Sequence, residues 1–389
     1  RKICDFWLKF TLNSSDTRAA MKNLILAIES SCDDSSIAII DKDSFECVFH
    51  KKISQELAHS EFGGVVPELA ARLHTTALPS ILEQCSGYFD RLCAVAVTSE
   101  PGLSVSLLGG ITMAKVLCAS LRLPLIPVNH LVGHIYSLFL TQNAHFEMGV
   151  LLVSGGHTML VNVDKKGFLE VLASTNDDSF GESFDKVAKM LALARPNGAC
   201  VQECAQIASE KSLNFPVPLK HSKELAFSFS GLKNAVRLEI LRQESLNSTL
   251  SLDENSTKSL NLSENSSSNK TQNLSKSPNL SKAQKSEIAF AFEEAATAHL
   301  IDKCRKAFAT HHFSTLGVVG GASANLRLRG KLQSLCAEFN CELGLAPLEF
   351  CADNALMIAR AACALYERGE FASIKDNIIS PKNKHFTRL

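Results

Sequence analysis

The segment that most constrains the fold of this chain is an apolar run that leads directly into a histidine-bearing helix. Leu121 to Val128 is rich in Leu, Ile and Val, which predicts a short buried strand. Asn129 then suits the N-cap of a helix on which His130 and His134 lie four residues apart. Both imidazoles project from one face, so they are either a metal-binding pair or two unrelated histidines. A zinc-protease helix has a general base beside its first histidine, and here Leu131 takes that place.

Length and composition indicate a two-lobed protein of the reduced cell interior. The chain has 389 residues, enough for two separate hydrophobic cores, with 46% hydrophobic and 21% charged residues. The net charge is zero, so any contact with RNA has to be a local basic patch. The 13 cysteines include no Cys-x-x-Cys pair, which favours free thiols over disulfides. We find no continuous apolar run of membrane-spanning length, and we expect a cytoplasmic protein without a membrane contact.

Two predicted hairpins have tips that suit phosphate binding. In each, apolar strands flank a turn rich in hydroxyl, carboxylate or glycine residues, whose free N–H groups can donate to an anion. In the first turn Asp33 and Asp34 can hold a cation or a water molecule. A plain polar hairpin tip is the alternative for either turn. The hairpins are Leu24–Ile28 and Ile37–Ile40 around Glu29–Ser36, and Gly149–Val153 and Thr158–Val163 around Ser154–His157.

Parallel strands and a late glycine turn complete the predicted architecture. Leu92 to Val97, a glycine-containing turn, a helix to Leu121 and the next strand form a βαβ unit. The Gly320–Asn325 turn follows a strand and precedes a helix, where it can lie flat against an adenosine. We therefore predict an α/β fold with the two-lobed actin-like, sugar-kinase or chaperone-ATPase (RNase H-like) architecture. Its active site would lie in the cleft between the lobes.

We predict the following division of the chain. Residues 1–20 form an unstructured extension, 21–128 form lobe I together with the C-terminal helix at about 354–389, and 129–353 form lobe II. A flexible insertion rich in Ser and Asn interrupts lobe II at about 243–285.

Three smaller features allow more than one interpretation or carry an expectation of their own. Asp353 either caps the helix that follows it or delivers a carboxylate to a site. Phe227 and Phe229 are either core residues or a contact surface. In the turn Pro196–Gly198, Asn197 is a residue that tolerates a positive φ where one is needed, so we expect the turn to form.

Eight motifs in order resemble one known family. The chain is similar to the bacterial form of the tRNA N6-adenosine threonylcarbamoyltransferase family, formerly called glycoprotease or O-sialoglycoprotein endopeptidase. The resemblance covers nearly all of Leu24 to Ala362 outside the insertion. Two motifs depart from the family pattern: Pro-Asn-Gly replaces Pro-Gly-Gly at Pro196, and Glu100-Pro101-Gly102 replaces Gly-Pro-Gly. The matching segments are Ile28–Asp33, Phe62–Glu68, Pro124–His134, Leu151–Thr158, Gly181–Lys186, Phe227–Lys233, Gly320–Asn325 and Asp353–Asn354.

The resemblance implies a function and a site. It implies transfer of threonylcarbamoyl from threonylcarbamoyl-AMP to N6 of adenosine 37, next to the anticodon, in tRNAs reading codons that start with A, with release of AMP. It implies that His130, His134 and Asp353 hold one divalent metal ion, with iron favoured and zinc possible, and that Asp33 is catalytic. The implied substrate-binding residues are Leu152, Val153, Ser154, Gly155, Gly156, Asp185, Gly198 and Asn325.

The resemblance also implies partners. Bacterial members of the family work on tRNA with a non-catalytic actin-fold paralogue and a P-loop ATPase. Candidate RNA contacts in this sequence are Arg327, Arg329, Lys331 and the basic C-terminal cluster of Lys382, Lys384, His385 and Arg388. The alternatives are an actin-fold kinase or ATPase, which would not need the two helix histidines, and a metalloprotease, which would need a base at Leu131.

Overall fold

The structure, a computed structural model, describes residues 22–389 except 61, 63, 196, 210–211 and 256–277. The predicted extension at 1–20 and the middle of the predicted insertion lie outside the described residues. Within the described part, ten strands form two five-stranded sheets. The strands are β1 (Leu24–Glu29), β2 (Asp34–Asp41), β3 (Cys47–Ser54), β4 (Leu92–Glu100), β5 (Leu125–Asn129), β6 (Met148–Val153), β7 (Thr158–Val163), β8 (Leu169–Ser174), β9 (Thr315–Val319) and β10 (Glu342–Leu345).

The two sheets repeat one topology. Sheet I has the order β3-β2-β1-β4-β5 and sheet II the order β10-β9-β6-β7-β8. In each, three consecutive antiparallel strands are extended by two strands that run parallel to the first of the three. Both predicted hairpins and the predicted βαβ unit are present. The repeat is the one expected of the two-lobed actin-like architecture, and the predicted fold class is confirmed.

Ten helices of the described chain cover the sheets. Apolar side chains of α4 and α10 fill the layer between the two sheets, together with Ile25, Val128 and Val150. The outer face of sheet I packs on α2 and α3, and the outer face of sheet II packs on α5 to α9. The helices are α1 (Glu56–Ser60), α2 (Pro67–Gln84), α3 (Ser104–Leu121), α4 (His130–Tyr136), α5 (Phe180–Met190), α6 (Gly198–Gln206), α7 (Ser230–Asn255), α8 (Lys282–Phe308), α9 (Leu326–Glu338) and α10 (Ala355–Glu367).

The structure corrects two local expectations and decides one open alternative. The strand before the histidines starts at Leu125, because Leu121 ends α3 and Arg122 adopts a left-handed conformation there. Asn197 has φ −130°, so the turn needs no positive φ, and its side chain instead caps α6 by accepting from the Cys200 N–H. Phe227 and Phe229 are fully buried core residues.

The described ends of the insertion are helical. Helix α7 continues to Asn255 and α8 begins at Lys282, so both run inside the predicted bounds of 243–285. Ser281 and Gln284 form a reciprocal capping box at the start of α8.

One helix of the described residues, α3, is long and apolar enough to cross a membrane, with a mean hydropathy of 1.6 over 18 residues. This segment was not expected from the sequence, since its apolar residues are interrupted by Ser, Gly and Thr. Leu107, Ile111, Ala114 and Leu117 of this helix are buried against sheet I. The helix therefore serves as a core helix of a globular lobe.

Gly320, which follows β9, occupies a conformation that only glycine adopts readily, with φ 92° and ψ 158°. A Cβ there would lie 2.3 Å from the Val153 carbonyl oxygen. We expect Gly320→Ala to lower the free energy of unfolding by about 2–4 kcal/mol, because it adds a backbone clash to conformational strain. Urea unfolding measures this.

Gly369→Ala is the matched control. Gly369 also has a positive φ, 69°, but no atom lies within 4 Å of the position that a Cβ would take there. The substitution should lower the free energy of unfolding by about 1 kcal/mol, because it adds conformational strain without a clash. Equal losses in the two variants would show that the close approach of Gly320 to Val153 is unimportant.

Candidate metal centre

The start of α4 is held by its preceding residue. The Asn129 side chain accepts hydrogen bonds from the Leu131 N–H at 2.9 Å and the Val132 N–H at 3.2 Å, as an N-cap does. Its amide group donates to Glu100 Oε1 at 2.9 Å and to Asn383 Oδ1 at 2.7 Å. The predicted cap is therefore confirmed. These bonds fix the first turn of α4 and with it the position of His130.

Asp353, in the turn before α10, contacts both histidines of α4. Its Oδ1 lies 3.4 Å from His130 Nε2 and 3.2 Å from His134 Nε2. The cap of α10 is Asn354, whose side chain accepts from the Met357 N–H at 2.9 Å. Asp353 therefore does not cap α10, although the sequence also allowed that role. The Lys52 ammonium donates to the Asp353 carbonyl oxygen at 3.0 Å.

The donor set of His130, His134 and Asp353 fits a divalent cation. One ligand atom from each residue lies within 4.8 Å of the other two. His134 is fully buried, its ring nitrogens make no well-aligned hydrogen bond among the described residues, and its Nε2 contacts the Asp353 carboxylate, another candidate ligand, at 3.2 Å. A buried imidazole with so little hydrogen bonding is costly unless something else ligates it. Two imidazoles and one carboxylate suit zinc or iron and leave coordination positions open.

Glu29, the last residue of β1, supports this group from behind His130. It is buried, accepts from the Ser31 N–H at 2.6 Å and from the Thr98 hydroxyl, and its Oε2 lies 3.1 Å from His130 Nδ1. A carboxylate behind a ligating histidine orients the ring and raises its basicity. From the sequence, Glu29 was expected only to be part of a polar turn. The sequence signal that could have indicated its role is a carboxylate at the end of a fully apolar strand.

The pKa values of Glu29, Asp353, His130 and His134 are shifted by burial and by the charges of these groups on one another. Burial acts to raise the pKa of Glu29 and of Asp353, but the adjacent His130 outweighs it and lowers both, that of Asp353 well below its usual range. Burial acts to lower the pKa of His130, and the charges of Asp353 and Glu29 raise it well above its usual range. Burial lowers the pKa of His134. The site therefore holds ionised carboxylates that favour a cation.

The first hairpin turn lies beside the same group. Burial, followed by the charges of Asp33 and Asp353, raises the pKa of the Cys32 thiol. Asp34 forms an ion pair with Lys52 at 2.5 Å, while its burial raises the pKa to about 6. Asp34 therefore has an internal cation as its partner, whereas Asp33 forms no ion pair with the described part of the chain.

A buried polar network holds this turn in place. His74 of α2 is fully buried, and its Nε2 lies 2.9 Å from the Cys32 carbonyl oxygen while its Nδ1 lies 2.7 Å from the Ser35 hydroxyl. Gln55 joins the same network, since its amide lies 3.2 Å from His74 Nδ1. This part of α2 therefore fixes the turn that carries Asp33.

A cavity of about 280 Å³ lies beside sheet II and is bounded by four of the eight residues expected to bind substrate, Gly155, Asp185, Gly198 and Asn325. Gly181 is required there, because a Cβ would lie 2.6 Å from the Ser154 carbonyl oxygen. The cavity is otherwise lined by Phe180, Phe184, Ala199, Gln202, Gly321, Ala322 and Ala324.

The other expected substrate-binding residues are placed differently. Leu152 and Val153 are fully buried in β6, with side chains in the two cores on either side of sheet II. Ser154 is buried and its hydroxyl accepts from the His157 N–H at 3.0 Å. Gly156 is exposed at the tip of the hairpin. The structure therefore does not bring their side chains into the cavity.

The cationic residues of α9 are engaged within the chain. Arg327 pairs with Glu293 at 2.7 Å, Lys331 pairs with Glu294 at 2.5 Å, and Arg329 donates to the Ser323 carbonyl at 2.7 Å. Arg327 and Lys331 thus have carboxylate partners within the chain, whereas Arg329 bonds to a backbone carbonyl, and all three remain predicted RNA contacts.

We predict that Glu29→Gln weakens metal binding about 10–100-fold, because the amide lacks the charge that supports His130. Competition against a chelator measures the affinity. Glu170→Gln, which removes an exposed carboxylate on β8, is the control. An unchanged affinity in Glu29→Gln would contradict the supporting role of this carboxylate.

We predict that Asp185→Asn stabilises the protein near neutral pH. Burial raises the pKa of Asp185 to about 6 from 3.8, although the Gly198 N–H and Lys189 act to lower it. Ionising this carboxyl thus costs more in the folded protein, and the penalty grows as pH rises from about 4 to 6 and stays constant above. Thermal unfolding between pH 5 and 8 should show an advantage of the variant that increases up to about pH 6 and is constant above it. An advantage that shrinks as pH rises would contradict this.

Comparisons with known proteins identify relatives of this chain. Residues 46–360 match the family model described as tRNA N6-adenosine threonylcarbamoyltransferase (TsaD). The chain is 59% identical over 369 residues to the tRNA N6-adenosine threonylcarbamoyltransferase of Campylobacter jejuni serotype O:2, covering 95% of this chain and 100% of that protein. It is 52% identical over 362 residues to that of Campylobacter curvus, covering 93% and 100%.

Among solved structures, HypF of T. kodakarensis is similar with a TM-score of 0.54 and 11% identity, over 90% of this chain and 48% of that one. At that identity the likeness shows the fold alone. The family match and the curated relatives carry the assignment: this chain belongs to the tRNA N6-adenosine threonylcarbamoyltransferase family.

Proposed function

We propose that this chain transfers the threonylcarbamoyl group from threonylcarbamoyl-AMP to N6 of adenosine 37, beside the anticodon, in tRNAs that read codons starting with A. AMP is released. The observation that carries the proposal is the convergence of His130, His134 and Asp353 between the two sheets, in a chain 59% identical to a curated member of the family. The reaction class, tRNA threonylcarbamoyladenosine formation, follows from family membership.

The proposed cofactor is one divalent metal ion, with iron favoured and zinc possible, held by His130, His134 and Asp353. A buried imidazole without a well-aligned hydrogen bond in the described chain and an ionised carboxylate support this assignment. When bound, the ion would supply Lewis-acid stabilisation of oxygen atoms that gain negative charge during acyl transfer. Glu29 would keep His130 oriented toward it.

The proposed substrate site combines the cavity and the second hairpin. Gly155, Asp185, Gly198 and Asn325 bound a space into which an adenylate can enter. Gly155 and Gly156 are exposed at the hairpin tip, where their N–H groups are available to phosphate oxygens. Leu152, Val153 and Ser154 would contribute through the backbone of the strand end, since their side chains are buried.

The proposed reaction needs no covalent intermediate on the protein. The N6 amine of adenosine attacks the carbonyl carbon, a C–N bond forms, the C–O bond to phosphate breaks, and N6 loses a proton as AMP leaves. The pKa of the Cys32 thiol, raised by burial and by Asp33 and Asp353, keeps this thiol protonated and unsuited to a nucleophilic role. Asp33 is the proposed catalytic carboxylate, because its turn adjoins the metal ligands.

The proposed partners are tRNA, a non-catalytic actin-fold paralogue and a P-loop ATPase, acting in the cytoplasm. An apolar stripe on α3 supports a protein partner: Val105, Leu108 and Val116 are 43%, 52% and 46% exposed on one face, while the opposite face is core. The proposed lobes are 21–128 with 354–389, and 129–353.

The test compares wild type with His134→Ala, measuring bound metal and threonylcarbamoyladenosine formed from synthetic threonylcarbamoyl-AMP and tRNA with the proposed partners present. We expect the variant to lose the metal and more than about a hundredfold of the transfer rate, which exceeds the effect of losing a group that only supports a ligand. His312→Ala, which removes an exposed histidine, is the control. Full transfer by a folded, metal-free His134→Ala protein would contradict the proposed site.

A further inference from the structure

The last ten residues, 380–389, form a strap that joins the two sheets. The Ser380 N–H donates to the Ser99 carbonyl at 3.0 Å at the end of β4 in sheet I. At the other end, the Leu169 N–H donates to the Thr387 carbonyl at 2.9 Å, at the start of β8 in sheet II. Phe386 and Leu389 are buried in the core between the sheets. The strap is therefore a fixed part of the structure.

The middle of the strap is held next to the metal centre. Glu100 is buried at the end of β4, and it accepts from the His385 N–H at 2.6 Å and from the Asn129 amide at 2.9 Å. The Asn129 amide also donates to Asn383 Oδ1 at 2.7 Å. Since Asn129 immediately precedes His130, the segment Lys382–Lys384 lies beside the first turn of α4.

This segment presents two cations that have no acidic partner in the described chain. Lys382 and Lys384 are both exposed, and neither forms an ion pair there. Glu100, the carboxylate that anchors the strap, is already bound to Asn129 and to the N–H and ring of His385. Arg327 and Lys331 of α9, in contrast, form ion pairs with Glu293 and Glu294. In a chain of zero net charge, such a local pair is what attracts a polyanion.

We propose that Lys382 and Lys384 bind phosphates of the tRNA strand that flanks the target adenosine. The inference rests on the proposed function, because it takes the substrate to be an adenosine in a single-stranded loop. That adenosine has to reach the metal centre, so phosphates on either side of it pass close to the start of α4. Lys382 and Lys384 are alternate residues of an anchored strap. Because the backbone of the strap is already ordered, binding of phosphates by their ammonium groups costs little further conformational entropy.

The test is the double variant Lys382→Gln/Lys384→Gln in the full-length, metal-loaded chain. The measured quantities are the dissociation constant of an unmodified tRNA transcript at several salt concentrations, and transfer in the presence of the partners. The dissociation constant should rise about tenfold, and the slope of its logarithm against log salt should fall by about 1.4, or ~0.7 for each single-strand phosphate that a lysine no longer neutralises. Metal content and the melting temperature should be those of wild type.

Lys220→Gln/Lys223→Gln is the matched control, since it removes two exposed lysines from a loop of lobe II, far along the chain from the strap. It should leave affinity and slope unchanged. Equal affinity and slope for the strap variant and wild type would overturn the inference. So would normal tRNA binding with reduced transfer, which would make the strap a contact for a protein partner. Failure of wild type itself to modify tRNA would instead contradict the proposed function.

Discussion

The candidate site depends on the contact of the Asp353 carboxylate with the buried imidazoles of His130 and His134. The three residues come from α4 and from the turn before α10, the two helices that fill the layer between the sheets. Glu29 adds a second buried carboxylate 3.1 Å from His130. Two carboxylates in so enclosed a place are costly unless opposite charge balances them. A divalent cation bound to these ligands would supply that charge.

The surrounding fold keeps the charged groups in position. Asn129 and Asn354 cap α4 and α10 with their side chains, so each helix begins at a fixed residue next to a ligand. The Ser36 hydroxyl accepts from the Ala355 N–H at 3.0 Å, which ties the start of α10 to β2 of sheet I. Gly133 allows α4 to approach α10, because a Cβ there would lie 2.7 Å from Ile358 Cδ1. Close packing of the two helices is thus a condition for the geometry of the site.

Much of this was accessible from the sequence. The spacing of His130 and His134 after a capping Asn, and the two polar hairpin tips, predicted the fold class and the histidine pair because these signals are local. Asp353 is more than 200 residues away from them, so its place came from the family resemblance. Glu29 and His74 were missed because their importance lies in contacts with distant residues. The cap that Asn197 provides for α6 was also not foreseen, because it depends on the contact of its side chain with the Cys200 N–H.

The most direct test of the central claim is anomalous X-ray diffraction at the iron and zinc absorption edges from crystals of the metal-loaded protein. We predict one strong peak within about 2.0–2.2 Å of His130 Nε2, His134 Nε2 and an Asp353 oxygen. A fully occupied metal elsewhere in the chain, or a strong peak that lacks these three ligands, would contradict the proposed centre.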